Sequence, residues 1–471
     1  MSTTSSNTVP AARTAIRVLI ATLLPQLAFG LSYAWISLAP YVEQQSRWSP
    51  VIIGAIYTLP LLSAAVTLLW SSALTARIPP RSLCWLGMGV FVLGLAVAFV
   101  WPNEASFVIF YATLALGVGY GVNFAGDLVV VAHFFPRRMG AVSGMMTAAY
   151  ALSAVAVVPA INALISGHGW FDALRIVGVS VTGLSIVALL FLPSLPLSPP
   201  RSDERKSVFQ LLRNPRFSAI ALVSVLVAPL GTYATSEVGV YAQSLNLLPA
   251  LVASAVLMVA AGTVLGRLGG GILSDHFGAD RVLLAVVALD AVAGISLWRA
   301  ATAPLLLGVA TVIGLTCGGL IGAVPRLAMD NEPCHYSAAT GMLFASFSLG
   351  GFLGPNIGDA LGGTTAAWFV LALLTASGFV VLILHFTWMA RRRIVCYCVD
   401  AIAKARQKTG YSVARRAYQR TFGRRSARRV HGNAAPPPLR SDAFWSELDK
   451  GRHRARHTAS KTEDSPVQTR K

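Results

Sequence analysis

Residues Gly266–Arg281 read GRLGGGILSDHFGADR. One arginine, Arg267, stands inside apolar sequence, and Gly269, Gly270 and Gly271 follow it. The stretch closes on Asp275, a helix-breaking Gly278 and a basic Arg281, so it joins the end of one apolar segment to the start of the next. Glycines in this setting let two helix backbones approach closely in lipid, where small residues make the contact. The acid and the base then mark where the chain leaves the hydrocarbon and turns back.

Composition places this stretch in a membrane. The chain has 471 residues, of which 55% are hydrophobic and 12% charged. A soluble domain carries about 25% charged residues, so soluble multi-domain readings are excluded first. Twelve apolar segments follow one another: 15–40, 50–74, 82–101, 105–133, 139–165, 171–192, 217–240, 249–273, 281–299, 303–327, 337–360 and 364–390. Crossing ~30 Å of hydrocarbon takes ~20 apolar residues, and these segments are of that order. The first follows Arg13 and Arg17 as a secretion signal would, but it is too long and lacks a small-x-small cleavage site. It is read as a retained membrane helix. The one long polar break, 193–216, divides the segments six and six.

The expected architecture is an all-α membrane protein of twelve transmembrane helices in two pseudo-symmetric six-helix bundles. Its parts would be an N-terminus 1–14, a first bundle 15–192, a linker 193–216, a second bundle 217–390 and a basic tail 391–471. The tail holds 21 Lys/Arg against 6 Asp/Glu, whereas residues 1–390 hold 17 against 13, so the net charge of +19 belongs mainly to the tail. Short loops on one side carry Arg77, Arg81, Arg137, Arg138, Arg281 and Arg326, and the linker adds Arg201, Arg205, Lys206, Arg213 and Arg216. The opposite side shows only Arg47 and Arg299. The positive-inside rule then puts both termini in the cytoplasm. Arg-rich, Lys-poor usage points to a bacterium, and so to its inner membrane.

The halves echo each other. Tyr33 and Tyr41 in the first segment are eight apart, as are Tyr233 and Tyr241 in the seventh, and Pro159 has its partner in Pro355. Internal duplication of this kind places a binding site between the halves, near the bilayer midplane.

Residues 266–281 resemble the loop signature of the major facilitator superfamily, G-x-L-[SA]-D-[RK]-x-G-[RK]-[RK]. Gly271, Leu273, Ser274, Asp275 and Gly278 match it; His276, Ala279 and Asp280 depart, and Arg281 supplies a basic group one position late. In the first half the corresponding stretch 72–81, SALTARIPPR, keeps Arg77 and Arg81 but has Ser72 for the glycine and Ala76 for the acid. The resemblance implies that this loop latches the halves, its aspartate pairing with a helix N-terminus and a nearby arginine. The latch set is then Gly271, Asp275, Gly278, Arg281, Arg77 and Arg81, with the acid on one side only.

Charges within spans are costly and ask for a partner or a function. They are Asp127, Glu237, Arg267 and Asp290, with His133 and Arg326 near span ends. Arg267 lies eight residues before Asp275, ~12 Å along a helix at 1.5 Å per residue. There its guanidinium is a fork for a carboxylate, or else a structural group paired with Glu237 or Asp290. Within the superfamily the chain resembles the monocarboxylate and oxalate/formate branch. The residues are GLSYAW at 30–35, Trp48 and Ser49, GVGYG at 117–121, FFPRRMG at 134–140, and Gly169 with Trp170. The resemblance implies that Arg267 binds a substrate carboxylate.

Three positions depart from that branch: Ser37 and Phe347 stand where relatives place lysines, and Thr263 where they place an aspartate. A single cation favours a monocarboxylate or larger amphipathic anion over oxalate. Tyr33, Trp35, Tyr120, Asn123 and Tyr233 are the expected cavity wall, each with helix packing as its alternative role. Glu237 and Asp127 are the candidates for proton coupling, because burial raises a carboxyl pKa; Asp127 has a bond to Asn123, one turn earlier, as its alternative.

The leading expectation is a secondary carrier of small organic anions, driven by a proton or an exchanged anion. Proton-coupled efflux of drugs is the first alternative. The glycine spacing on the eleventh segment, Gly341, Gly350, Gly354, Pro355 and Gly358, matches a signature that drug exporters carry on the fifth. A transporter-like sensor acting through the tail is the second. Neither a phosphate-binding G-x-x-x-x-G-K-[ST] stretch nor a nucleophile–base constellation occurs, so no enzyme, no catalytic residue and no cofactor is expected. The cysteines Cys84, Cys317, Cys334, Cys396 and Cys398 have no framework spacing, and no metal site is expected. Partners are the organic anion and anionic inner-leaflet lipid at the tail, without nucleic acid, and the chain is expected to be a monomer.

Overall fold

The apolar segments become helices because nothing within them competes for the backbone, and in hydrocarbon every amide must be satisfied within its own segment. In the computed structural model the described residues are 12–195, 208–298, 302–363 and 365–387. Among them there is no strand. The helices are α1 (Ala12–Gln45), α2 (Pro50–Leu69), α3 (Pro80–Val100), α4 (Glu104–Phe134), α5 (139–168) and α6 (170–190), followed by α7 (Pro215–Ser244), α8 (Pro249–Phe277), α9 (Ala279–Trp298), α10 (Ala303–Asn331), α11 (Tyr336–Ala360) and α12 (Thr365–Thr387). α5 and α6 run on from one another through Gly169, whose φ of 74° and ψ of 168° break the helix. Among the described residues ten stretches are long and apolar enough to cross a membrane, with α5–α6 counted as one and α9, which carries Asp280, Arg281 and Asp290, not among them. Proline opens α2, α3, α7 and α8 near the first turn, where its missing N–H costs nothing. The tail, with Cys396 and Cys398, and linker residues 196–207 lie outside the described residues.

The helices form two six-helix bundles. One apolar core is built from residues between Val18 and Leu192, a second from residues between Leu230 and Trp368. A third takes residues from both halves, from Leu68 and Phe124 to Phe344 and Leu382. α1 bends at Gly30, where Ser153 of α5 donates to the Gly30 carbonyl at 2.7 Å. The first half of α4, Phe107–Gly119, is wound as a π-helix.

The helix ends correct the segment boundaries. α8 continues to Phe277 and α9 begins at Ala279, so the signature 266–281 is helix almost throughout and the turn is Gly278 alone. Its φ of 87° is a conformation that side-chain-bearing residues rarely adopt, which is how one residue reverses the chain.

Contacts between the halves gather at the end of the bundle that holds Ala12 and Thr387. There α8 packs on α5 and α11 on α2. A Cβ on Gly140 would stand 2.5 Å from the Gly271 carbonyl oxygen, so only paired glycines allow the approach.

Candidate functional site

Three helices fix the depth of Arg267. α8 carries Gly262, Gly266 and Gly270 on one face; α10 answers with Gly314, Gly318 and Gly322. These close on the backbone around the arginine: a Cβ on Gly318 would lie 2.9 Å from Arg267 N, and one on Gly322 3.0 Å from Arg267 C. From the other half, a Cβ on Gly144 would lie 2.6 Å from Arg267 O. The arginine backbone is thereby wedged between α10 and α5, and its side chain emerges between the two bundles.

Arg267 is 6% exposed. Its Nη1 donates to the Thr147 carbonyl at 2.5 Å and its Nη2 to Tyr33 Oη at 3.1 Å, while the Tyr150 ring centroid lies 5.5 Å away. Nε has no partner. Tyr150 is held in turn by Ser32, Oγ to Oη 2.6 Å, and its ring meets Tyr33 edge-on at 5.6 Å. Among the described residues no carboxylate forms an ion pair with Arg267. The pairing with Glu237 or Asp290 is therefore absent: Asp290 accepts from Thr316 of α10 instead, and Glu237 is half-buried on α7. A buried cation held by a carbonyl, a phenol and a π face has no counter-charge among the described residues, and a charge in that position is costly.

The cavity at Arg267 draws on both halves: Ser32 and Tyr33 of α1, Tyr57, Pro60 and Leu61 of α2, Tyr150 of α5, Thr232 and Thr235 of α7, Thr263 of α8, Cys317 and Ile321 of α10, and Phe347 of α11. Its volume is about 60 Å³. That is room for about two waters at ~30 Å³ each, against the ~300–1,000 Å³ of pockets that hold drug-sized ligands. The walls are drawn in around the cation.

Of the residues expected on this wall, Tyr33 is there. Trp35 is not; two positions on, it points to the far side of α1. It is packed among Trp48, Phe107, Tyr111 and Trp170, with Nε1 donating to the Ile53 carbonyl at 2.8 Å. Tyr120 lies behind the wall, against Tyr150 at 5.2 Å and Phe29 at 5.6 Å. Asn123 is buried in the first bundle and donates to the Cys84 carbonyl at 3.0 Å. Asp127 is buried beside it but bonds elsewhere than to Asn123: Gln26 Nε2 donates at 2.9 Å and the Cys84 thiol at 3.3 Å. Tyr233 packs at a tilt against Trp368, ring centroids 4.6 Å apart, while its helix neighbours Thr232 and Thr235 face the cavity. Ser37 bonds Asn162 at 2.7 Å, away from Arg267, whereas Thr263 and Phe347 do line the cavity. Tyr57, Tyr150, Thr232, Thr235 and Cys317 are among the wall residues that sequence reasoning passed over. The glycine ladders at four-residue spacing on α8 and α10 were the available signal for α10, and Tyr150 follows Thr147 by one turn.

At the near end Asp275 reaches the first turn of α5. Its carboxylate accepts from Gly140 N at 3.0 Å and Ala141 N at 2.8 Å, two amides that have no partner within their own helix. Arg326 of α10 stands 3.5 Å from the same carboxylate and 2.9 Å from Asp330. Arg77 and Arg281 are exposed, and Arg81 lines a separate cavity. Across the pseudo-symmetric contact, where the first half has no acid, Thr75 and Ser337 share a hydrogen bond of 3.0 Å. Among the described residues no group of three His, Cys, Asp or Glu side chains is placed to hold a metal ion.

Two six-helix bundles packed face to face, with a cavity between them, are the architecture of a membrane transporter. The Major Facilitator Superfamily model matches residues 19–262, and the chain belongs to that family. It is 29% identical over 334 residues to Monocarboxylate transporter 11 of Homo sapiens, covering 65% of this chain and 69% of the relative. It is 25% identical over 351 residues to the Multidrug resistance protein MdtG of Rahnella sp., covering 70% and 82%. Among solved structures it resembles the transporter FucP in its outward conformation, with a TM-score of 0.63 at 16% identity, over 80% of this chain and 99% of that one. The protein is a multi-pass membrane transporter and not an enzyme.

Proposed function

We propose that the chain carries a small organic anion, a monocarboxylate, by alternating access, and that Arg267 holds the carboxylate. The unpaired guanidinium in the inter-bundle cavity carries this reading. Two of its N–H groups are already engaged and Nε is free, so a carboxylate would trade the Thr147 carbonyl and Tyr33 hydroxyl for a charge-assisted fork. Tyr150, Tyr57 and Phe347 would give the rest of the anion an apolar wall. Similarity to a protein named as a monocarboxylate transporter supports the substrate class. One cation in the cavity suits one carboxylate.

The end closed by Asp275 would face the cytoplasm, as the Lys/Arg distribution indicates. Coupling would be to a proton, held at Glu237 or Asp127, or to a counter-transported anion. The test is uptake into proteoliposomes from a panel of monocarboxylates and dicarboxylates, with and without an inward proton gradient. Saturable monocarboxylate uptake that Arg267→Ala lowers about 30-fold or more, the cost of stripping a partner from a buried charge pair, is the expected result. Uptake untouched by that substitution overturns it.

Proton-coupled efflux of amphipathic solutes is a second reading, favoured by similarity to the multidrug resistance protein and by the apolar Leu61, Ile321 and Phe347 in the wall. Resistance to amphipathic drugs on expression, with no carboxylate flux, would select it.

A further inference from the structure

A second cavity, of about 400 Å³, lies in the first bundle where α1 and α3 begin and α6 ends. Its wall has two chemistries. Arg17, Arg81 and the Thr14 hydroxyl form one part; Leu190, Phe191 and Pro193 form the other. Neither arginine has a carboxylate partner among the described residues. Arg81 is half-buried and lies in the first turn of α3, so the positive end of that helix adds to its charge. Two arginines on one concavity, Arg17 exposed and Arg81 half-buried, favour an anion between them, and a guanidinium fork matches phosphate oxygens in pairs.

The apolar part decides between soluble and lipid phosphate. Leu190 and Phe191 are 62% and 48% exposed, beside the arginines rather than turned from them. A free phosphate gains nothing from such a wall. A phospholipid presents a phosphate and a chain together, and this cavity lies at helix ends, where hydrocarbon gives way to headgroups. Its volume falls in the range of small-ligand pockets, ~300–1,000 Å³.

We propose that an anionic phospholipid seats its phosphate between Arg17 and Arg81 and its glycerol and upper chain against Leu190, Phe191 and Pro193. The lipid clips α1, α3 and α6 together at the end of the bundle where the halves close. It is a site distinct from the cation at Arg267, and it holds whatever the carried solute is.

The experiment uses the full chain carrying Leu190→Trp, reconstituted in phosphatidylcholine vesicles doped with brominated phosphatidylglycerol or brominated phosphatidylcholine. The quenching contributed by the added indole is taken as the difference from the chain without it, so that lipid gathered elsewhere by the basic tail does not count. A preference for the brominated anionic lipid of at least about fivefold is expected, the worth of one basic residue at an anionic surface. It should vanish in Arg17→Gln/Arg81→Gln and return with Arg17→Lys/Arg81→Lys, which guards against a misfolded double variant. Equal quenching by both lipids, or a preference that survives the glutamine pair, overturns the proposal. Loss of the preference in millimolar glycerol phosphate would assign the site to a soluble phosphoester and overturn the lipid assignment.

Discussion

Arg267 carries the proposed function because no carboxylate among the described residues pairs with it. Arg267→Lys keeps the charge but not the fork, so binding should survive and weaken about tenfold, whereas Arg267→Ala should abolish it; isothermal titration with a monocarboxylate separates the two. Tyr33→Phe removes one neutral partner of the guanidinium. A hydrogen bond of this type is worth about 0.5–1.5 kcal/mol net, and the carboxylate is proposed to displace it, so the Kd should fall, by no more than about tenfold, in the same titration. Should Tyr33→Phe cost as much as Arg267→Ala, the phenol and not the guanidinium is the main anchor.

At the scale of elements, the contact between α5 and α8 joins the two halves at the end where Asp275 lies. Gly140, Gly144 and Gly271 let the two backbones touch, and Asp275 caps α5 through two amides. Asp275→Asn keeps the size but loses the charge that favours a helix N-terminus, about 0.3–1 kcal/mol at an exposed site and up to ~2 when partly buried. The expected outcome is a shift toward the state open at this end. A Cβ on Gly144 meets the Arg267 carbonyl and cannot be accommodated without parting the helices, so Gly144→Val should open the same end more completely. Double electron–electron resonance between labels at Arg77 and Arg281, both exposed, reads both variants: the distance should lengthen, and an unchanged distribution would remove the latch role.

Over the whole molecule, alternating access can be followed at Cys317, a free cysteine on the cavity wall. In a chain whose other four cysteines are serine, a saturating monocarboxylate should slow maleimide labelling of Cys317, because anion and reagent share one small cavity. Labelling from the end closed by Asp275 should be slow in the parent and faster in Asp275→Asn. If the anion leaves the labelling rate unchanged, it is not bound at this cavity.

The sequence alone determined the membrane class, the twelve helices, their division six and six and the depth of Arg267. Each of these follows from local quantities: segment length against bilayer thickness, a polar break, and residues counted along a helix at a fixed rise. It also reached Asp275 and Tyr33. It could not place Trp35, Asn123 or Tyr233, because the face a residue shows depends on which neighbour its helix packs against, and one helical step of 100° moves a side chain from cavity to core. Nor could it say that Arg267 is unpaired, that Arg326 rather than Arg77 or Arg281 stands beside Asp275, or that Arg81 joins Arg17 in a separate cavity. Those are facts about helices far apart in the chain, fixed only when glycine faces on α5, α8 and α10 bring their backbones together.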